Sequence, residues 1–417
     1  MNTTDKLSSM FNTCYLVFFN STQTQLMEYF KGNRVKILAN ILTSEDVKQI
    51  KQIAESEAYK DCKIRIMPDC HAGAGSVVGT TIKLKDKVTP NLVGVDIGCG
   101  MLTVVLREKE KEVDLKKLDE VIRKHIPSGR DIHDEPVKTF SLDGLKAKRV
   151  NTEKAMRSIG TLGGGNHFIE LAKDTKGFLY LIIHSGSRNI GHQVAKYHQN
   201  RAYKLLTDMS EKKKELISRL KKEGREKEIN AELKKLKPSK VNKDLAYLTG
   251  KTLEDYLNDM YIMTEFASMN RETIASIIIR EMNLTKTFHF ETIHNYIGKD
   301  GILRKGAISA RKGELILIPL NMRDGSIIGI GKGNEDWNYS APHGAGRVMS
   351  RSKAKELVNL EDYKKQMVGI YTTSVNEHTI DEAPSVYKPK KEILNLVKET
   401  VDILGIIKPI YNFKANT

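Results

Sequence analysis

Proline and cysteine are both scarce in this chain of 417 residues, at 10 and 4, and tryptophan occurs once. With so little proline and no Pro/Ser-rich stretch, nothing reads as a linker between separate domains. The cysteines stand at 14, 62, 70 and 99. No two form a CxxC pair, which removes support for a zinc ribbon or a thioredoxin-type motif. Long apolar runs are also missing. None approaches the roughly 20 residues needed to cross a bilayer, so no membrane span is expected. The apolar stretch at 14–19 has only Lys6 as a basic residue ahead of it, offset by Asp5, and does not read as a signal peptide. Without a secretory signal no disulfide framework is expected, and reduced, cytoplasmic thiols are the default. Acidic residues are in deficit, with 52 Asp+Glu against 68 Lys+Arg and a formal charge of +16. That balance suits a polyanion such as nucleic acid, although a solvated basic surface gives the same arithmetic.

The remaining composition is that of a soluble globular protein, 40% hydrophobic and 29% charged, and long enough to bury a sizeable core. Thr43 followed by Asp46 predicts a helix cap, with Val47, Ile50, Ile53 and Ala54 on one apolar face. Residues 63–67 read as a strand ending in a turn at Pro68. Residues 77–82 and 92–95 read as short buried strands, and 179–183 as another that runs straight into His184. Between 202 and 260 helix formers dominate. Within 211–236 there are ten Lys/Arg and six Asp/Glu, arranged as two amphipathic helices joined near Gly224. Residues 263–280 read as a buried helix, 301–319 and 326–330 as strands with glycine turns, and 350–358 and 361–368 as charged helices. No internal repeat is visible. The expected fold is mixed α+β: one body of mixed β-sheets flanked by helices over 1–417, with a charged helical-hairpin insertion at 202–260.

Several of the eleven histidines stand in glycine-rich loops directly after apolar strands. A strand fixes the backbone and the loop presents the side chain at its end. Asp96 and Cys99 stand three apart around Gly98, and a carboxylate with a thiolate suits a borderline metal or a thiolate bridging two. His167, His184 and His294 are candidate imidazole ligands, each beside an amide or hydroxyl (Asn166, Ser185, Asn295) that could orient substrate. Each could equally be a hydrogen-bonded structural histidine, and spacing alone does not bring the segments together. His343 lies between Pro342 and Gly344-Ala-Gly346, with Arg347 behind. Small neighbours leave room for a phosphate to approach the ring, as a histidine nucleophile needs. Arg188 follows a small polar loop fit to bind an anion or to cap a helix.

The segments MPDCHAGAGSVVGTTI (67–82), VGVDIGCGM (93–101), LGGGNHFIEL (162–171), HSGSRNIGHQV (184–194), HNYI (294–297), SAPHGAGRVMSR (340–351) and DEAPSVYKP (381–389) resemble the RtcB family of RNA ligases, in family order from about residue 60 onward. The resemblance implies an RtcB-type body and a GTP- and Mn²⁺-dependent ligase. It would join RNA 3′-phosphate or 2′,3′-cyclic-phosphate ends to 5′-hydroxyl ends in tRNA splicing or RNA repair. It implies two manganese ions held by Asp96, Cys99, His167, His184 and His294. Cys99 would bridge them, with His167 and His184 on one ion and Asp96 and His294 on the other. It implies His343 as the guanylylated nucleophile. Nucleotide contacts would come from Asn166, His167, Phe168, Ile169 and Glu170, and from His294 and Asn295. Pro319, Leu320, Asn321, Met322 and Ser326 would add to them, with His343, Gly344, Ala345, Gly346 and Lys414. Arg188 with Asn166 would anchor the RNA terminal phosphate. A monomer is expected, with an archease-type activator as an additional partner. Two departures stand out. Where many members carry Lys in an HxGKG turn this chain has Ala74, and where many have PGSM it has Pro319-Leu-Asn-Met322. The competing expectations are a metal-dependent phosphodiesterase or phosphatase on the same scaffold, and a non-catalytic RNA-binding protein. The first gives His343 no task, and the second gives the ligand set none.

Overall fold

The computed structural model describes residues 34–236 and 241–415. Cys14 and the apolar stretch around it lie outside them. In chain order the elements are β1 (Val35–Ile37), α1 (Ser44–Glu55), β2 (Lys63–His71), β3 (Val78–Lys83), β4 (Lys87–Val88), α2 (Pro90–Val93), β5 (Gly100–Lys109), α3 (Leu115–His125), α4 (Thr152–Arg157), β6 (Phe168–Lys173) and β7 (Phe178–Ser185). Then come α5 (Arg188–Thr207), α6 (Ser210–Lys222), α7 (Ile229–Lys235), β8 (Leu248–Thr249), α8 (Gly250–Met282), β9 (Lys286–Ile293), β10 (Asn295–Ile297), β11 (Ile302–Lys305) and β12 (Ala307–Ser309). The chain finishes with β13 (Leu315–Asn321), β14 (Gly325–Gly331), β15 (Ser340–Pro342), α9 (Arg351–Leu357), α10 (Leu360–Gln366), α11 (Lys390–Leu396) and β16 (Val401–Lys414). The mixed α/β body and its several sheets match the expected RtcB-type architecture.

Two sheets organise the body. A seven-stranded antiparallel sheet has the order β13-β14-β16-β6-β7-β5-β9. A five-stranded sheet has the order β1-β2-β3-β11-β10, with β1 and β2 parallel. The 33-residue α8 serves both cores. Its first half places Tyr256, Met260, Met263 and Phe266 in the apolar cluster under the five-stranded sheet. Its second half places Ile274, Ile277 and Ile278 under the seven-stranded one. Such a helix is about 50 Å long at 1.5 Å per residue, enough to span two packed units. No described helix is long and apolar enough to cross a membrane.

The capping box at Thr43 forms as expected: Asp46 N donates to Thr43 Oγ1 at 3.2 Å and Thr43 N to Asp46 Oδ2 at 2.7 Å. The charged helical hairpin also forms, α6 and α7 meeting around Gly224 at φ +69°. None of the six apolar clusters includes a described residue of α6 or α7. Three expectations need correction. Residues 90–93 form a helical turn rather than a strand, because Pro90 sets a helical φ at its start and Gly94 at φ +91° ends it. Strand β2 does not stop at Pro68 but runs to His71. The pairing with β3 breaks between Ile66 and His71, which frees a proline that has no N–H to donate. The helix expected at 263–280 begins at Gly250, where polar residues hid its start.

Candidate active site

Four neighbouring strands of the seven-stranded sheet end at one edge, and each brings one metal-type ligand there. His167 immediately precedes β6, His184 lies near the end of β7, Cys99 immediately precedes β5, and His294 immediately follows β9. The register aligns them: Phe168 pairs with His184, His184 with Met101, and Gly100 with Ile293. Asp96 joins from the turn before β5. That turn is pressed onto α8, for Gly98 has φ +71° and a Cβ there would meet Thr264 Cα at 2.7 Å. Two polar residues of α8 brace the edge. Arg271, fully buried, donates to the carbonyls of Gly98 at 2.9 Å and Ser185 at 2.7 Å. Asn270 donates to Ser185 Oγ at 2.9 Å and to Thr161 O at 3.1 Å.

The ligand atoms converge. Cys99 Sγ lies 3.5 Å from His167 Nε2 and 3.3 Å from His184 Nε2. His167 Nε2 is 3.0 Å from Asp96 Oδ2, and His184 Nε2 is 3.4 Å from His294 Nε2. Two triads result, Asp96–Cys99–His167 and Cys99–His184–His294, sharing the thiol. This partition differs from the expected one. The strand order explains it: His184 and His294 flank Cys99 from β7 and β9, and His167 turns toward the Asp96 side.

The chemistry of the donors fits a pair of divalent ions. His167 Nδ1 faces Leu162 O at 2.9 Å and His184 Nδ1 faces Asn166 O at 3.2 Å. A carbonyl only accepts, so each Nδ1 carries the proton and each Nε2 offers a lone pair to the centre. Burial lowers the pKa of His184 and His294, keeping both imidazoles neutral. Burial, with the Asp96 charge beside it, raises the Cys99 thiol well above its ordinary value. Burial alone would raise Asp96, but His167 and Arg188 hold it below the ordinary carboxylate range. One thiol, one carboxylate and three imidazoles are a donor set for borderline first-row ions.

His343 follows β15 and stands beside the second triad, its ring centroid 4.7 Å from that of His294. Its Nδ1 lies 2.5 Å from Asp69 Oδ2, and its backbone N–H donates to the same oxygen at 3.1 Å. Asp69, fully buried on β2, therefore fixes Nδ1 as the protonated nitrogen and leaves Nε2 free. The neighbours are small by necessity. Gly346, at φ +74°, leaves no room for a Cβ, which would meet Asp69 O at 2.3 Å.

From His343 opens a cleft of about 840 Å³, continuous with solvent. Its floor is Asn166, Phe168 and Glu170, and its walls are 319–322 and 343–346. Arg347, Arg351, Tyr387, Asn412 and Lys414 also line it. Glu170 accepts from Asn412 Nδ2 at 2.9 Å through Oε2, while its Oε1 has no protein partner. Burial pushes this carboxyl up to about 8. Lys414 Nζ pairs with Glu382 Oε2 at 2.7 Å, and the Tyr387 hydroxyl donates to the same oxygen at 2.7 Å.

Other expected contacts sit elsewhere. Ile169 is buried in the core below the sheet, and Ser326 is buried on β14 opposite Pro319. Asn295 ties Gly306 N at 3.0 Å to the Asp96 carbonyl at 3.4 Å. Arg188 does not face the cleft. It lines a second cavity with Asp96, while Asn166 lines the first. Sequence reasoning assigned no role to Asp69, Asn270, Arg271, Lys305 or Glu382. Lys305 lies beneath the turn that lacks the lysine of HxGKG, and its Nζ donates to Ala74 O at 2.8 Å. The available signal was a polar Asn-Arg pair inside an apolar helix and an aspartate one residue before the Cys-His of PDCH.

The family model described as tRNA-splicing ligase RtcB matches residues 49–150 and 138–415. The RNA-splicing ligase RtcB of Escherichia coli K12 is 32% identical over 394 residues, covering 84% of this chain and 90% of that protein. The tRNA-splicing ligase RtcB of Aeropyrum pernix is 27% identical over 420 residues, covering 78% and 81%.

Proposed function

The chain belongs to the RtcB family of RNA ligases, and from that premise we propose that it seals RNA 3′-phosphate or 2′,3′-cyclic-phosphate ends to 5′-hydroxyl ends, using GTP and Mn²⁺. The observation that carries this reading is the His343–Asp69 pair at the mouth of the cleft. It presents Nε2 of the ring beside the His184–His294 triad. Manganese ions would be held by Asp96, Cys99 and His167 and by Cys99, His184 and His294. When bound, they supply Lewis-acid neutralisation of phosphate oxygens. The protein's own groups do the rest.

His343 Nε2 attacks the α-phosphorus of GTP, and the bond to the bridging oxygen breaks, releasing pyrophosphate. Asp69 is a positioning residue: it holds the ring and stabilises the charge the imidazole gains. The guanylyl group then passes to an oxygen of the RNA 3′-phosphate, a cyclic end having first been hydrolysed. The 5′-hydroxyl attacks the 3′ phosphorus and GMP leaves. Guanine presents N1–H and N2–H donors side by side, and adenine presents none there. The unpaired Glu170 oxygen at the cleft floor is the acceptor that would select GTP. Lys414, fixed by Glu382, places a cation near the same base. A phosphodiesterase would leave the His343–Asp69 pair and Glu170 idle.

We place the enzyme in the cytoplasm, where thiols stay reduced and Cys99 keeps its ligand form. It would act as a monomeric catalytic body carrying a hairpin insertion. Its substrates would be broken or spliced tRNA-like ends, and an archease-type activator is the partner class to test. The deciding experiment incubates the protein with α-labelled GTP and Mn²⁺, with ATP as control. Acid-labile protein label should form with GTP alone. It should be absent in His343→Ala and slowed roughly 10²-fold or more in folded Asp69→Asn. A metal-loaded wild type that takes no label would refute the proposal.

A further inference from the structure

Strand β2 carries Asp69 through a stretch where its ladder is open. Pairing with β3 is lost between Ile66 and His71, so the backbone groups of 67–70 take partners elsewhere. The Pro68 carbonyl finds one in a side chain 320 residues away: Lys388 Nζ donates to it at 2.8 Å. The same ammonium donates to Ile41 O at 3.2 Å, ahead of α1. Lys388 is fully buried and does not line the nucleotide cleft. Burial lowers its pKa from the ordinary value, while the charges of Asp69, Glu392 and Asp46 oppose the fall.

The main chain of Lys388 is fixed to the loop that carries the nucleophile. Its N–H donates to Gly346 O at 3.0 Å, and Val348 N donates to Val386 O at 2.9 Å. Arg347 and Tyr387 form an antiparallel bridge between these two hydrogen bonds. Lys388 therefore grips Pro68 with its side chain and Gly346 with its backbone. Pro68 immediately precedes Asp69, and Gly346 stands three residues after His343. One residue thus joins the two segments that supply the His343–Asp69 pair.

That pair needs outside support. Asp69 Oδ2 accepts from both His343 N and His343 Nδ1, while Oδ1 is buried with no protein partner. A buried carboxylate with an unpaired oxygen is costly unless a cation lies near it. Lys388 brings its ammonium to the peptide next to Asp69. It also fixes that peptide, and with it the Cα from which the carboxylate hangs. The attack of Nε2 on phosphorus depends on ring placement, and a misplacement of about 1 Å is enough to cost roughly 10²-fold in rate.

We propose that Lys388 is a positioning residue for the nucleophile: it fastens the Asp69 segment of β2 to the 343–346 loop and sets the His343–Asp69 pair before nucleotide arrives. The inference rests on the ligase reading above. Lys388 touches neither nucleotide nor phosphorus, so the bonds made and broken in guanylylation are unchanged. Its contribution passes through Asp69.

The test is a double-mutant cycle on the single-turnover rate of labelling by α-labelled GTP. The proteins are wild type, Lys388→Met, Asp69→Asn and the double variant. Methionine keeps much of the volume and removes the ammonium. Lys388→Met should label about tenfold or more slowly at saturating GTP. Its half-saturating GTP concentration should stay within about twofold of wild type. Its bound metal, by elemental analysis, should be unchanged. Added to Asp69→Asn, the same change should slow labelling by less than about threefold, because the residue it acts through is already lost. Losses that multiply across the cycle would overturn the proposal and leave Lys388 a purely structural residue. So would a loss seen only as weaker GTP saturation. Hydrogen exchange supplies a reading that needs no ligase activity. The His343 amide, bonded to Asp69, should exchange faster in Lys388→Met, while the amides of α8 keep their protection. Unchanged exchange at His343 would also overturn the proposal. If the methionine variant does not fold, Lys388→Gln, which keeps a donor, is read in the same way. A wild type that takes no label refutes the ligase reading, and exchange at His343 then decides on the fastening by itself.

Discussion

Glu170 carries a cost that its proposed task explains. Its ordinary pKa is 4.5, and burial raises it to about 8 in the folded protein. Between those values the folded chain keeps a proton that the unfolded chain releases. Stability therefore falls as pH rises through that window, and the loss is complete above about 8. Glu170→Gln removes the titration and retains an amide that can pair with Asn412. The variant should be more stable than wild type by about 1–3 kcal/mol at pH 8, with the difference shrinking toward pH 5. Thermal melts across that range measure it. The same variant should lose about 1–3 kcal/mol of GTP-over-ATP discrimination, since the carboxyl that would accept from the guanine edge is gone. A Gln variant that melts below wild type at pH 8 would mean that Glu170 is ionised and paired in the free protein. At this scale much was legible in the chain itself. His343 stood out through its small neighbours, and Asp96 with Cys99 through their spacing. Asp69 did not, because its partner lies 274 residues away.

Elements explain why spacing could not assemble the centre. The ligands sit at 96, 99, 167, 184 and 294, with no common interval. They meet because β6, β7, β5 and β9 are neighbours in the sheet, an order that follows from pairing and not from sequence. Of these four strands only β7 was readable as an apolar run, and their order was not readable. Spacing therefore did not show that the ligand atoms fall into the groups Asp96–Cys99–His167 and Cys99–His184–His294. The turn before β5 shows what the centre demands of the backbone. Gly98 combines φ +71° with a 2.7 Å approach to Thr264 Cα. Gly98→Ala should therefore destabilise the protein by about 2–4 kcal/mol, the sum of left-handed strain and overpacking. Because Asp96 and Cys99 hang on that turn, bound metal should fall in parallel, which thermal melts and elemental analysis of the purified variant can follow together. Wild-type stability with full metal content would mean the turn is not clamped as described. The α6–α7 hairpin, by contrast, was plain from charge and periodicity, since it makes its helices from local sequence and shares no apolar cluster with the body.

Across the whole molecule the site draws on nearly every part of the chain, from Asp69 on β2 to Lys414 at the end of β16. The last strand has two jobs that mutation can separate. It lies between β14 and β6, in the middle of the seven-stranded sheet, and buries Val401, Ile407, Ile410, Tyr411 and Phe413. The Tyr411 hydroxyl also donates to the carboxylate of Asp119 on α3 at 2.9 Å. Removing 401–417 would leave β13 and β14 on one side, β6, β7, β5 and β9 on the other, and two bare edges between them. Such a chain should show no cooperative melt at all. Lys414→Ala removes only the cation and leaves the buried Glu382 with the Tyr387 hydroxyl and Arg347 as partners. It should melt cooperatively, destabilised by about 1–3 kcal/mol for the lost charged partner, and take label from GTP more slowly. The family resemblance alone singled this lysine out. Its burial comes from a strand pairing that joins β16 to β6 across more than half the chain. If the truncated protein melted cooperatively at the wild-type midpoint, β16 would be an appendage. Lys414 would then have no rigid support from which to address a nucleotide.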